Sequence, residues 1–183
     1  MEITVGMKGE VSTLVEREDT AKEVGSGSLL VYATPCMVAL MEGASCEAIE
    51  EAMDEGKTSV GTELNIQHLS ATPVGLEVRA EAVVTAVEGK VITFEVTAYD
   101  EAGEIGKGTH KRVIISTQKF LERAYNKLTA KGEISGIIGG FIIPPDKNNF
   151  TVCFFPTQDV STDKESVIKV EVTADNIVKL NNN

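Results

Sequence analysis

Apolar positions crowd into one stretch of the chain and alternate with polar ones over most of the rest. Residues 33–56, ATPCMVALMEGASCEAIEEAMDEG, are the crowded stretch. Between Cys36 and Ala44 only Glu42 is charged. A helix apolar on all sides is a buried helix, so its first two turns are expected in the core, with a carboxylate among them. Thr34 is the expected N-cap, its hydroxyl accepting from a first-turn amide. Pro35 then occupies the first helical position, where a missing N–H costs nothing. After Ser45 the pattern narrows to one apolar face (Ala48, Ile49, Ala52, Met53), and Gly56 is the expected stop.

The alternating segments predict strands. Residues 7–15 form a first one, with Val11, Thr13 and Val15 on one face. Residues 16–33 are irregular. Gly25-Ser26-Gly27-Ser28 reads as a loop, and Leu29 to Tyr32 as either a lid or a segment packed on the core. In residues 58–70 the alternation sets Val60, Thr62, Leu64, Ile66 and His68 on the face toward the helix. Gly61 falls on the other face, unless it marks a bulge or a close backbone approach. Residues 76–87, 91–99 and 105–116 follow, joined by the short turns at Glu88-Gly89-Lys90 and 100–103. Residues 118–131 return to helical spacing. Three strands joined by short turns imply an antiparallel meander. The long helix is the only candidate to cover it, so an α+β fold with a curved sheet round one helix is expected.

From Gly132 the helical period is lost. Residues 132–183 are expected to be a small β-rich appendage to a domain spanning 1–131, with strand-like runs at 134–143, 150–155 and 166–172. Phe141, Phe154 and Phe155 in those runs need covering.

Composition narrows the partners. Net charge is −11 with no basic run, which argues against nucleic acid. No apolar run is long enough to span a bilayer, and no N-terminal apolar region follows Met1, so a cytoplasmic protein without a membrane partner is expected. Three cysteines, Cys36, Cys46 and Cys153, are too few and too spread for a disulfide framework or a metal motif. No metal and no cofactor are expected. The GKGTHK segment lacks the spacing of a phosphate-binding loop.

What remains is Thr34 at a helix start, Glu42 eight residues on, and His68 on the strand facing that helix. Eight residues are roughly 12 Å of rise and about 80° of rotation, so the two helix residues can line one cleft without touching. A hydroxyl, a carboxylate and an imidazole are parts for acyl transfer. The helix N-terminus adds positive potential suited to a developing oxyanion. Each residue also has an ordinary explanation: Glu42 paired with an arginine or lysine, and His68 bonded to backbone in the core.

The segments YATPCMVALMEGA, SVGTELNIQHLSATPVGLEV and IGKGTHKRVII closely resemble the hotdog-fold thioesterases of the fluoroacetyl-CoA thioesterase type, over about residues 5–128. The resemblance implies a hotdog fold, dimerised through its sheets, and a Thr/Glu/His catalytic set at Thr34, Glu42 and His68. It also implies that Gly61 lies against the acyl group, and it matches Gly75 to a family glycine after a proline-containing turn. The family's lid phenylalanines correspond to a region holding Gly25 and Ser28, which favours a broader or different acyl-CoA. The expected activity is hydrolysis of an acyl-CoA thioester to free acid and CoA, CoA being part of the substrate, by a homodimer or larger homo-oligomer. Lys111 and Arg112 are candidates for the CoA phosphates, although neighbours in a strand point to opposite faces. The alternative is a non-catalytic acyl-CoA-binding or assembly module. A hydratase on the same fold lacks its Asp/His dyad here.

Overall fold

The computed structural model describes residues 2–130 and two short segments, Gly136–Ile138 and Phe141–Ile143. The chain divides into two units, Met1–Ser116 and Thr117–Asn183. In the first, β1 (Lys8–Leu14) is followed by α1 (Thr34–Glu50) and then by β2 (Lys57–His68), β3 (Glu77–Glu88), β4 (Val91–Asp100) and β5 (Gly103–Ser116). The five strands form one antiparallel sheet in the order β1-β3-β4-β5-β2. The meander is therefore the centre of the sheet, and the two strands that precede it in sequence close its edges. The second unit holds α2 (Thr117–Ala130), β6 (Gly136–Ile138) and β7 (Phe141–Ile143), the last two paired antiparallel. The expected domain boundary after residue 131 thus falls within this unit, and α2 groups with the C-terminal residues. The strand-like runs at 150–155 and 166–172 lie outside the described residues. Among the described residues no helix is long and apolar enough to cross a membrane.

Alternation builds the core directly. Val78, Ala80, Ala82 and Val84 of β3 and Ile92, Phe94, Val96 and Ala98 of β4 are fully enclosed beneath α1. Met37, Met41, Ala44, Ala48 and Ile49 face them from the helix. Small residues set the spacing. A Cβ on Gly9 of β1 would run into the Ala44 carbonyl and the Ala48 amide of α1. A Cβ on Gly106 of β5 would meet Met37 Sδ at 2.6 Å. The Glu47 carboxylate of α1 accepts from the Glu10 amide on the outer edge of β1 at 2.6 Å, tying helix to edge strand.

Three details of the helix depart from expectation. Its N-cap is Ala33, in extended conformation and without a side-chain cap, so Thr34 is the first helical residue and Pro35 the second. The Thr34 hydroxyl bonds a side chain from β2 instead. The helix stops at Glu50, where Ala52 and Met53 amides tighten onto Ile49 and Glu50 carbonyls; Gly56, at φ +73°, turns the chain into β2. The first two turns are not enclosed all round. A single sheet covers one side, and Thr34, Pro35 and Ala39 are exposed.

The segment before the helix is pinned at its far end and free at its tip. The Tyr32 amide donates to the Thr72 carbonyl (2.8 Å), and the Ala33 amide to the Asp19 carbonyl (2.9 Å). Tyr32 is buried, whereas Leu29 and Leu30 are exposed. Of the two expectations for this stretch, packing on the core holds at Tyr32, while Leu29 and Leu30 are left exposed.

Gly9→Ala is expected to push α1 off the sheet, because its obstacles are backbone atoms that cannot swing away. Urea unfolding should lose about 1–3 kcal/mol with little change in slope. An unchanged midpoint would contradict the close approach described here.

Candidate active site

A bulge in β2 decides which side chains reach the helix. The strand pairs with β5 through Gly61 opposite Arg112 and Glu63 opposite Lys111, so Thr62 is an extra residue. A bulge inverts the alternation beyond it. Ser59 and Gly61 before it, and Leu64, Ile66 and His68 after it, therefore share the face of Ile114, Arg112, His110, Gly108 and Gly106. The expectation that Val60 and Thr62 accompany His68 is corrected by this one residue. The second possibility for Gly61, a bulge with close backbone approach, holds: a Cβ there would collide with Glu42 Oε1 and come within 2.9 Å of His110 Cε1.

The bulge delivers the three candidates as two contacts. Thr34 Oγ1 lies 2.8 Å from His68 Nδ1. Beside them is a cavity of about 370 Å³, bordered also by Ala21, Ser26, Tyr32 and Ala71. His68 Nε2 is buried with no hydrogen-bond partner in the structure. Glu42, two turns along α1, bonds neither of them. Its Oε1 lies 3.5 Å from Arg112 Nη1 and 3.5 Å from His110 Nε2, with the carboxylate about one-third exposed. The Arg pairing weighed for Glu42 is therefore present, and so is the partly open carboxylate that proton transfer needs.

Arg112 is not at the surface. It is 6% exposed and held on β2 by two bonds, Nε to Ser59 Oγ at 2.8 Å and Nη2 to the Ser59 carbonyl at 2.9 Å. Lys111 points out of the opposite face and meets Glu63 at 3.0 Å. Only one of the pair faces the helix, as strand geometry requires. Gly75 sits at φ +96° in the turn before β3, where its lack of a side chain is needed for conformation rather than for space.

His110 and Ser59 were not anticipated as site residues. His110 has no exposed surface; it bonds the Glu63 carbonyl through Nδ1 (3.0 Å) and Arg112 Nη1 through Nε2 (3.1 Å), with the Phe94 ring stacked at 6.2 Å. The available signal was its place two residues before Arg112, on the same strand face. Burial holds the His110 pKa below the ordinary range and the Arg112 charge adds to this, while its bond to the Glu63 carbonyl and the Glu42 charge oppose it. Cys36, in the first turn of α1, is a poor rival to Thr34: burial, then Asp19, push its thiol up and keep it protonated. Among the described residues no group of three His, Cys, Asp or Glu side chains could hold a metal ion.

A long helix under a five-stranded antiparallel sheet, with a hydroxyl–imidazole pair at the helix start and a carboxylate two turns on, defines the class of hotdog-fold thioesterases. The chain belongs to the fluoroacetyl-CoA-specific thioesterase family, whose model matches residues 15–118. A fluoroacetyl-CoA thioesterase from Streptantibioticus cattleyicolor is 40% identical over 100 residues, which are 55% of this chain and 72% of that protein. The solved structure of the fluoroacetyl-CoA thioesterase FlK superposes with a TM-score of 0.66 at 32% identity, covering 69% of this chain and 98% of that one. A Thermus thermophilus protein of the thioesterase superfamily superposes with a TM-score of 0.63 at 32% identity, over 70% of this chain and 95% of its own.

The depressed His110 pKa has a signed consequence. Unfolded, this imidazole takes up a proton near its ordinary value of about 6.5; folded, it does so only at lower pH. Between the two values the unfolded chain binds more protons, so stability falls as pH falls. Denaturation series from pH 8 downward should show this loss beginning near the ordinary histidine range. His110→Gln should remove that component while leaving the carboxylate-dependent loss at lower pH.

Proposed function

We propose that the protein hydrolyses an acyl-CoA thioester to the free acid and CoA through Thr34, Glu42 and His68. The observation that carries this is the 2.8 Å contact between Thr34 Oγ1 and His68 Nδ1, placed at a helix N-terminus beside a cavity. A hydroxyl alone is a weak nucleophile, and an imidazole nitrogen in hydrogen-bonding reach is what activates it or orients a water through it. First-turn amides and the helix dipole lie where the thioester oxygen gains charge. Glu42 is the general base that takes a proton from the attacking water, His68 gives one to the departing CoA thiolate, and exchange with solvent returns both groups to their starting states. Water supplies the hydroxyl of the acid and the proton of the thiol, so no cofactor is consumed.

Gly61 supports the reading by letting the β2 backbone pass against Glu42, beside the acyl group. Arg112 is engaged with Glu42, and a CoA phosphate would reach Lys111 only on the opposite sheet face, where Lys111 pairs with Glu63. The small residues bordering the cavity, Ala21, Ser26 and Ala71, favour an acyl group broader than fluoroacetyl. The open outer edge of β2 and the exposed Pro35 and Ala39 of α1 suit a homodimer at least. The unpaired Cys36 and Cys46 suit a reducing cytoplasm.

Thiol release from a panel of short acyl-CoAs tests the proposal directly. Thr34→Ala, Glu42→Ala and His68→Ala should each lower kcat by roughly 10²–10⁴ in folded protein. Acyl-CoA binding without thiol release in the unmodified chain would favour the non-catalytic module instead. Light scattering at micromolar concentration should give at least twice the chain mass; a monomer would rule out the dimer.

A further inference from the structure

His110 takes no part in the reaction as written, yet its surroundings define its chemical state. The Glu63 carbonyl can only accept, so Nδ1, 3.0 Å away, carries the hydrogen. Nε2 faces Arg112 Nη1 at 3.1 Å, and a guanidinium can only donate, so Nε2 presents a lone pair. A protonated imidazole would set N–H against N–H and cation against cation. Around the ring, Phe94 of β4 stacks on it and the Glu63 side chain turns away to Lys111; Glu42 of α1, the anion facing it among the described residues, favours the charged form, and burial and the Arg112 charge oppose it.

This imidazole is the third anchor of Arg112. Ser59 holds Nε and Nη2, and His110 holds Nη1. So restrained, the guanidinium reaches Glu42 Oε1 only at 3.5 Å. A tight Arg–carboxylate pair closes to about 2.7–2.9 Å and occupies the carboxylate lone pairs. A carboxylate so occupied is a poor base, whereas a charge held slightly off orients it and leaves a lone pair for a proton.

We propose that His110 is a positioning residue: a neutral imidazole, protonated at Nδ1, that keeps Arg112 from closing onto Glu42 and so leaves Glu42 free to act as base. The proposal rests on the assignment of Glu42 as base in the thioesterase reaction.

Two near-isosteric substitutions separate this role from simple support of the strand pair. His110→Gln can place an amide oxygen at the far end, where Arg112 needs an acceptor. His110→Asn can place an amide donor near the Glu63 carbonyl but offers Arg112 nothing. Positioning predicts that Gln retains kcat within about threefold, while Asn loses roughly ten- to a hundred-fold with KM nearly unchanged. Thermal midpoints of both variants establish that they are folded. Asn equal to or better than Gln in kcat would overturn the proposal, because activity would then follow the strand contact. A readout free of turnover is the ¹⁵N spectrum of the imidazoles, with only His68 and His110 to assign. At neutral pH, His110 should show a protonated Nδ1 and a bare Nε2; the opposite tautomer would overturn the proposal whatever the rates. Near-native turnover in Glu42→Ala, by contrast, would remove the base assignment and leave the tautomer result standing.

Discussion

The distance between α1 and the sheet governs everything else in the first unit. Glycine on β1 and β5 and alanine on β3 and the helix let backbones approach until a single methyl group at Gly9 has no room. The close seat buries a core made largely of small and medium side chains. It also fixes the height at which Thr34 and Glu42 stand over β2 and β5. A helix one methyl further out would leave Thr34 unable to reach His68 and Glu42 unable to reach Arg112.

Within that frame the two ends of the site differ electrically. At the helix start, a hydroxyl and an imidazole meet beside a cavity and under the positive end of a dipole. Two turns on, a partly open carboxylate faces an enclosed guanidinium and a neutral ring. Enclosing Arg112 costs solvation, and its two bonds to Ser59 and one to His110 offset that cost. The two ends are spaced by the helix itself, so neither contacts the other.

The architecture was legible because it rests on alternation and on one apolar stretch. Both survive any tertiary detail: the meander, the cover helix and the buried Ala48 and Ile49 of its second half follow from them. What could not be read depends on single residues. Thr62, inserted as a bulge, inverts the faces of β2, and nothing in SVGTELNIQH requires it beyond Gly61. Thr34 misses the cap position because its hydroxyl has a better partner from a strand more than thirty residues away. His110 was passed over because its importance lies in what surrounds it, a carbonyl on one side and an arginine on the other, and strand register alone brings these together.

The carboxylate of Glu47 on the outer edge of β1 limits how the sheet can be shared between molecules. A strand arriving there would need the Glu10 amide as a donor and would find it already taken, with a negative oxygen in its place. The β2 edge carries no such block among the described residues. At Glu10, then, the β1 edge is taken, while the β2 edge is open among the described residues. Two chains meeting at β2 would turn their β1 edges outward, each with its Glu10 amide already taken. A sheet bare at both edges can be extended from either side, whereas one occupied at an edge can be joined only through the other.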